Sequence, residues 1–144
     1  MSALLSIKEL KKSFGAIIVA DASSFDVAQG EAVGILGPNG AGKTSLFNLI
    51  TGSMRADSGT ILFDGRDITK LPAAARCKLG VARSFQIPQP FVGMTVFENA
   101  LVGATQGAGL RGRAAEDHAL DVLDETGLAG KANMRAGSLS LLER

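Results

Sequence analysis

The octapeptide Gly37-Pro38-Asn39-Gly40-Ala41-Gly42-Lys43-Thr44 has the spacing G-x-x-x-x-G-K-[ST]. Its residue types suit one task, holding a chain of phosphates. Such a chain is neutralised by backbone N–H groups, by a helix N-terminus and by a cation, and this stretch offers all three. Gly37, Gly40 and Gly42 permit positive φ and let the backbone approach phosphate oxygens without an intervening Cβ. Lys43 can reach the β- and γ-phosphates, and Thr44 places a hydroxyl where Mg²⁺ is bound. Pro38, Asn39 and Ala41 complete the loop.

A loop of this kind needs a strand before it and a helix after it. Ala32-Val33-Gly34-Ile35-Leu36 is apolar on both faces, as a strand in the middle of a parallel sheet requires. From Lys43, the 3/4 spacing of Leu46, Leu49 and Ile50 predicts a helix whose N-terminus faces the loop, with Gly52 as its stop. Upstream, strands are expected over 4–10, at Ile17-Ile18-Val19 and over 23–27, where Phe25 and Val27 share a side; Gln29-Gly30-Glu31 makes a turn. Downstream, Thr60-Ile61-Leu62-Phe63, the tight turn Asp64-Gly65 and Arg66-Asp67-Ile68 read as an antiparallel hairpin. Pro72 starts a short helix over 73–79 that Gly80 ends, and Val81 to Phe85 reads as another strand with Gln86 at its end. Thr95-Val96-Phe97-Glu98 has the form of a capping box and opens a helix to about Val102. The glycine-rich stretch 103–112 reads as a mobile loop, and helical spacing resumes over 114–126.

Composition narrows the partners. With 144 residues, 46% apolar content and 20% charged residues, the chain is of ordinary globular type, and its length is that of one domain. A formal charge of +1 creates no basic field for nucleic acid or an anionic membrane. The longest uncharged stretch, 84–97, is interrupted by Pro88 and Pro90 and falls short of the ~18 residues a membrane-spanning helix needs. Residues 1–12 lack the pattern of a secretory signal. The single Cys77 forms no intrachain disulfide and fits a reducing, cytoplasmic setting, with a role as partly buried apolar filler. His118, beside Glu116 and Asp117 on a polar helix face, reads as solvated.

Several motifs in order resemble the first part of an ABC transporter ATP-binding subunit: the loop at 37–44, Arg83-Ser84-Phe85-Gln86, and Met94-Thr95-Val96-Phe97-Glu98-Asn99. The wording of residues 45–52 and 82–86 is most similar to the branched-chain amino acid importer type. The resemblance implies an α/β fold, an incomplete P-loop NTPase core of the ABC ATPase kind with an antiparallel β addition and a helical subdomain. The core part would occupy 1–86, and the helical subdomain 87–144. It implies ATP and Mg²⁺ as ligands, with Phe14 stacking on adenine, Ser45 near the α-phosphate, and Thr44 and Gln86 at the metal. Gln86 would also relay nucleotide state toward a permease. The partners implied are transmembrane permease subunits and a second ATP-binding subunit, on the cytoplasmic face of the membrane without insertion into it.

Leu139-Ser140-Leu141-Leu142-Glu143-Arg144 stands where the family carries L-S-G-G-Q. There, Ser140 would touch the γ-phosphate of ATP held by the other subunit, but Leu141 and Leu142 add Cβ atoms and Glu143 a negative charge. Ser140 and Glu143 also have the spacing of a capping box, which turns the carboxylate back onto its own helix.

The strand that carries the family's Mg²⁺-holding aspartate and catalytic glutamate does not occur after Gln86, so no catalytic residue is assigned in these residues. Ala32 to Leu36 would then lack neighbours, and is expected either to pair with another chain or to be displaced into a loop. Two other readings of the loop remain. A GTPase lacks its N-K-x-D here and a small kinase its arginine-rich lid, while a non-catalytic nucleotide-binding fragment is consistent with every motif present. These 144 residues alone are expected to release no phosphate from ATP in a colorimetric assay, with or without Lys43→Ala. Turnover abolished by that substitution would contradict the assignment.

Overall fold

The computed structural model describes residues 3–143; Met1 and Ser2 of the N-terminal segment, and Arg144 of the signature-like segment, lie outside the described residues. The chain divides into two compact units, Met1–Arg76 and Cys77–Arg144.

The first unit is built on an antiparallel sheet of order β2-β1-β3-β4, comprising β1 (Ala3–Phe14), β2 (Ile17–Ala28), β3 (Ser58–Phe63) and β4 (Arg66–Asp67). The expected strand over 4–10 lies within β1, while the two expected at 17–19 and 23–27 are parts of one continuous strand, β2. Phe14 pairs with Ile17 across a two-residue turn, in which Gly15 takes a φ of 58°. The predicted hairpin at Asp64-Gly65 is present, with φ of 48° and 72° at the two turn residues.

Strict alternation along β1 would put Ile7 and Glu9 on one face and bury a carboxylate. A bulge prevents this. Glu9 has φ 48°, and β1 gains one residue in register around it, between Ile7 and Leu10 against β2 and between Lys8 and Lys11 against β3. Ile7 and Leu10 are therefore both buried, with Ala20, Ile61 and Ile68, while the Glu9 N–H donates to Ser24 Oγ at 2.8 Å. β3 crosses β1 at this bulge through Gly59, where a Cβ would lie 2.5 Å from the Glu9 carbonyl oxygen and 2.6 Å from Leu10 Cα.

Helix α1 (Lys43–Thr51) packs on β2 and buries Leu49 and Ile50, and Gly52 closes it in the left-handed conformation. Helix α2 (Ala73–Lys78) follows Pro72 as expected and stops before Gly80.

Two expected strands do not form. Ala32 to Leu36 is irregular, with Leu36 96% exposed, and the only sheet among the described residues is antiparallel. A central parallel strand exists only when neighbours satisfy its N–H and C=O groups on both sides. None of the described strands pairs with this segment, which in the single chain is displaced into a loop. Val81 to Phe85 is likewise irregular, and the Phe85 ring is exposed.

The second unit is helical. α3 (Val96–Val102) starts at the Thr95–Glu98 capping box, with Glu98 N–H on Thr95 Oγ1 at 3.1 Å and Thr95 N–H on Glu98 Oε2 at 2.7 Å. Gly103–Gly107, expected as mobile loop, instead continues the helix as one π-helical turn, with Thr105 Oγ1 donating to the Leu101 carbonyl at 2.8 Å. α4 (Arg113–Glu125) lays Ala115, Ala119 and Leu123 inward. Val96, Leu123 and Leu139 form the core of this unit with Phe97, Ala100, Leu128 and Ala132 packed against it.

Gly59→Ala should lower the unfolding free energy by about 2 kcal/mol or more, since both its φ and the β1 backbone oppose a Cβ. Gly15→Ala, strained in φ but with open space around it, should cost about 1 kcal/mol. Urea denaturation followed by circular dichroism measures both.

Candidate phosphate-binding site

The loop from Gly37 to Gly42 is set by three local constraints. The Ala41 N–H donates to the Pro38 carbonyl at 3.2 Å, which turns the chain back on itself. Lys43 Nζ donates to the carbonyl oxygens of Gly37 at 2.6 Å and Pro38 at 2.7 Å, so the cation is held over the loop that precedes it. Gly42 has φ 82° and lies against β2: a Cβ there would stand 2.2 Å from the Val19 carbonyl oxygen. Glycine at this position is dictated twice, by backbone conformation and by the strand behind it.

Gly42 also occupies the cap position of α1, where no side chain bonds to the helix. The first-turn N–H groups, at Lys43, Thr44 and Ser45, have no intrahelical acceptor and point along the axis toward the loop. In α3, by contrast, Val96 N–H donates to Met134 O and Phe97 N–H to Ala132 O, both at 2.9 Å, and Glu98 N–H to Thr95. The residues present fit a phosphate chain: a glycine cradle, uncapped amides and one ammonium. For Mg²⁺ the donor set of this unit is small and neutral, the Thr44 hydroxyl, and among the described residues no acidic or histidine cluster forms a metal cage. That set suits a cation carried largely by phosphate oxygens.

Phe14 lies in the same unit as the loop, at the tip of the β1–β2 hairpin. Its ring is 52% exposed, with Lys12 Nζ 5.1 Å from the centroid. Lys12 is in turn paired with Asp57 at 2.6 Å, and Asp57 also accepts the Ser13 N–H at 2.8 Å. The Lys12 ammonium, helped by the Ser13 amide, holds the Asp57 carboxyl below the usual carboxylate range. Gln86 and Ser140 belong to the second unit. Gln86 is exposed in a bend. Ser140 is exposed before a single 3₁₀ turn, Leu141–Glu143, and the expected local bond is present: its N–H donates to Glu143 Oε2 at 3.1 Å. Lys131 pairs with the same carboxylate and, with Ser140, draws its pKa down to about 2. Leu141 and Leu142 are exposed.

Residues 20–143 match the family described as ABC transporter. The chain belongs to the ABC transporter family. The probable branched-chain amino acid transport ATP-binding protein LivG of Archaeoglobus fulgidus is 41% identical over 108 residues, which cover 75% of this chain and 42% of that protein. The lipopolysaccharide export system ATP-binding protein LptB of Acidithiobacillus ferridurans is 44% identical over 101 residues, 70% of this chain and 42% of that protein. A solved ATP-binding cassette of an ABC transporter in its ADP conformation aligns with a TM-score of 0.83 at 32% identity, covering 99% of this chain and 61% of that one. The fold is therefore part of an ABC-type P-loop ATPase cassette, and the chain spans less than half the length of these two curated relatives.

Two contributors to this region are invisible to motif reading. Val19 acts through its carbonyl oxygen, which any residue possesses. Arg76, 2% exposed, lies beyond the hairpin and carries no spacing that links it to the loop.

Gly42→Ala should weaken binding of a fluorescent ATP analogue by more than about tenfold, because the new Cβ must displace either the loop or the Val19 backbone. Gly40→Ala, with φ 84° but open space, should cost only a few-fold, about the effect of one strained φ. Equal losses in the two variants would contradict this geometry.

Proposed function

We propose that the chain is the nucleotide-holding part of an ABC importer, binding MgATP at 37–45 as the first step of a cycle that drives uptake of branched-chain amino acids. The observation that carries this reading is the loop geometry: Lys43 held over the loop carbonyls, Gly42 pressed on Val19 and uncapped first-turn amides, within a family match that spans residues 20–143. The β- and γ-phosphates would exchange with the Gly37 and Pro38 carbonyls as partners of Lys43. Ser45 adds a hydroxyl near the α-phosphate, and Thr44 would hold Mg²⁺, which neutralises phosphate charge when bound. Phe14 presents a ring for adenine to stack on.

Import of branched-chain amino acids is the reading of choice because of the identity to LivG and the wording of residues 45–52 and 82–86. Its partners would be permease subunits and a second cassette at the inner face of the membrane; no helix among the described residues is long and apolar enough to cross a membrane. The reach of Ser140 to a partner's γ-phosphate requires Glu143 to release the Ser140 N–H first.

Competition binding should show ATP preferred over GTP, with affinity lost in Lys43→Ala. Cells carrying Lys43→Ala in the native copy should lose uptake of radiolabelled leucine, isoleucine and valine while keeping arabinose uptake. Unchanged leucine uptake would refute the substrate assignment, and GTP preference the nucleotide assignment.

A further inference from the structure

Arg76 is the one buried charged side chain among the described residues. Its guanidinium bonds only carbonyls: Nη1 donates to Leu49 O and Ile50 O, both at 2.7 Å, Nη2 to Thr69 O at 2.8 Å, and Nε to Leu71 O at 2.9 Å. Among the described residues no carboxylate accepts from it directly. Leu49 and Ile50 are in the last turn of α1, the helix whose first turn faces the phosphate loop. The fit at that end is close. A Cβ on Gly52 would lie 2.8 Å from Arg76 Nε and 3.0 Å from the Ala73 N.

Two physical consequences follow. A planar fork that bonds two successive carbonyls of one helix and two carbonyls of the segment 69–71 fixes where α1 sits along its axis. A lysine, with one ammonium, reaches fewer of these acceptors. In addition, a desolvated cation at the C-terminal end offsets the negative pole of the helix, so that the positive pole at Lys43–Ser45 is less compensated toward an anion.

We propose that Arg76 is a positioning residue for phosphate binding: from the far end of α1, it holds the first-turn amides in place and strengthens their pull on the phosphate chain. The inference rests on the proposed nucleotide site. Its test compares ATP with adenosine, each measured by competition against a fluorescent ATP analogue on the same sample of the 144-residue chain, so that the folded fraction cancels in the ratio. The ratio of ATP to adenosine affinity should fall about tenfold in Arg76→Gln, and about threefold in Arg76→Lys, which keeps the charge but not the fork. A merely structural role would lower the melting temperature and leave the ratio unchanged in both; that result overturns the inference. Should Arg76→Gln fail to fold, the Lys variant decides alone: an unchanged ratio overturns the proposal and a threefold fall supports it. Wild-type binding of ATP that Lys43→Ala does not weaken would instead overturn the nucleotide site, and this inference with it.

Discussion

A guanidinium buried without a carboxylate is an expensive object, tolerated only when its N–H groups find acceptors. Arg76 finds four, and they come from three places: the last turn of α1, the end of the β3–β4 hairpin and the loop that leads into α2. Burial pulls its pKa down and Asp67 pulls it back, but an arginine stays charged throughout the accessible pH range. The first unit is therefore tied together at a point where apolar packing alone would leave helix carbonyls unsatisfied. Gly52 belongs to the same device, because any side chain there would occupy the space of the guanidinium.

At the other end of α1 the requirements reverse. The helix must start without a cap, since a capping oxygen would compete with a phosphate for the first-turn amides. Gly42 satisfies this, and its contact with the Val19 carbonyl fixes the loop against the sheet. The sheet reaches this point through the β1–β2 hairpin, whose bulge at Glu9 keeps Ile7 and Leu10 together in the core. One helix thus links a carbonyl-saturated end to an amide-bare end, and the strands behind it set the distance between them.

Much of this was legible in the residues. The glycine spacing and Lys43 identified the loop, Leu46, Leu49 and Ile50 identified α1, and Asp64-Gly65 and Thr95–Glu98 identified a turn and a cap that the structure contains. These are local signals, carried by a few adjacent residues and their hydrogen bonds. The failures are non-local. Ala32 to Leu36 reads as a strand because its side chains are apolar on both faces, yet strand formation depends on partners that side-chain pattern does not supply. The glycines of 103–107 suggest a loop, whereas the helix already nucleated at Thr95 extends through them with a wider turn. Arg76 and Val19 escaped because one acts on carbonyls distant in sequence and the other acts as a carbonyl. Of the site residues, 37–45 and Phe14 lie in one unit, while Gln86 and Ser140 lie in the other.

The bonds that seat the start of α3 also bear on how the second unit folds. Val92, Met94, Val96 and Phe97 exchange backbone bonds with Ala132, Met134, Ala136 and Gly137, in an antiparallel return that closes the intervening helices into a loop. Closure of so long a loop carries an entropic cost that contacts within the helices alone do not offset. α3 and α4 can form early from short-range contacts, but the Val96–Leu123–Leu139 core is completed only at that closure. That closure, between residues 92–97 and 132–137, is the non-local step in the assembly of this unit.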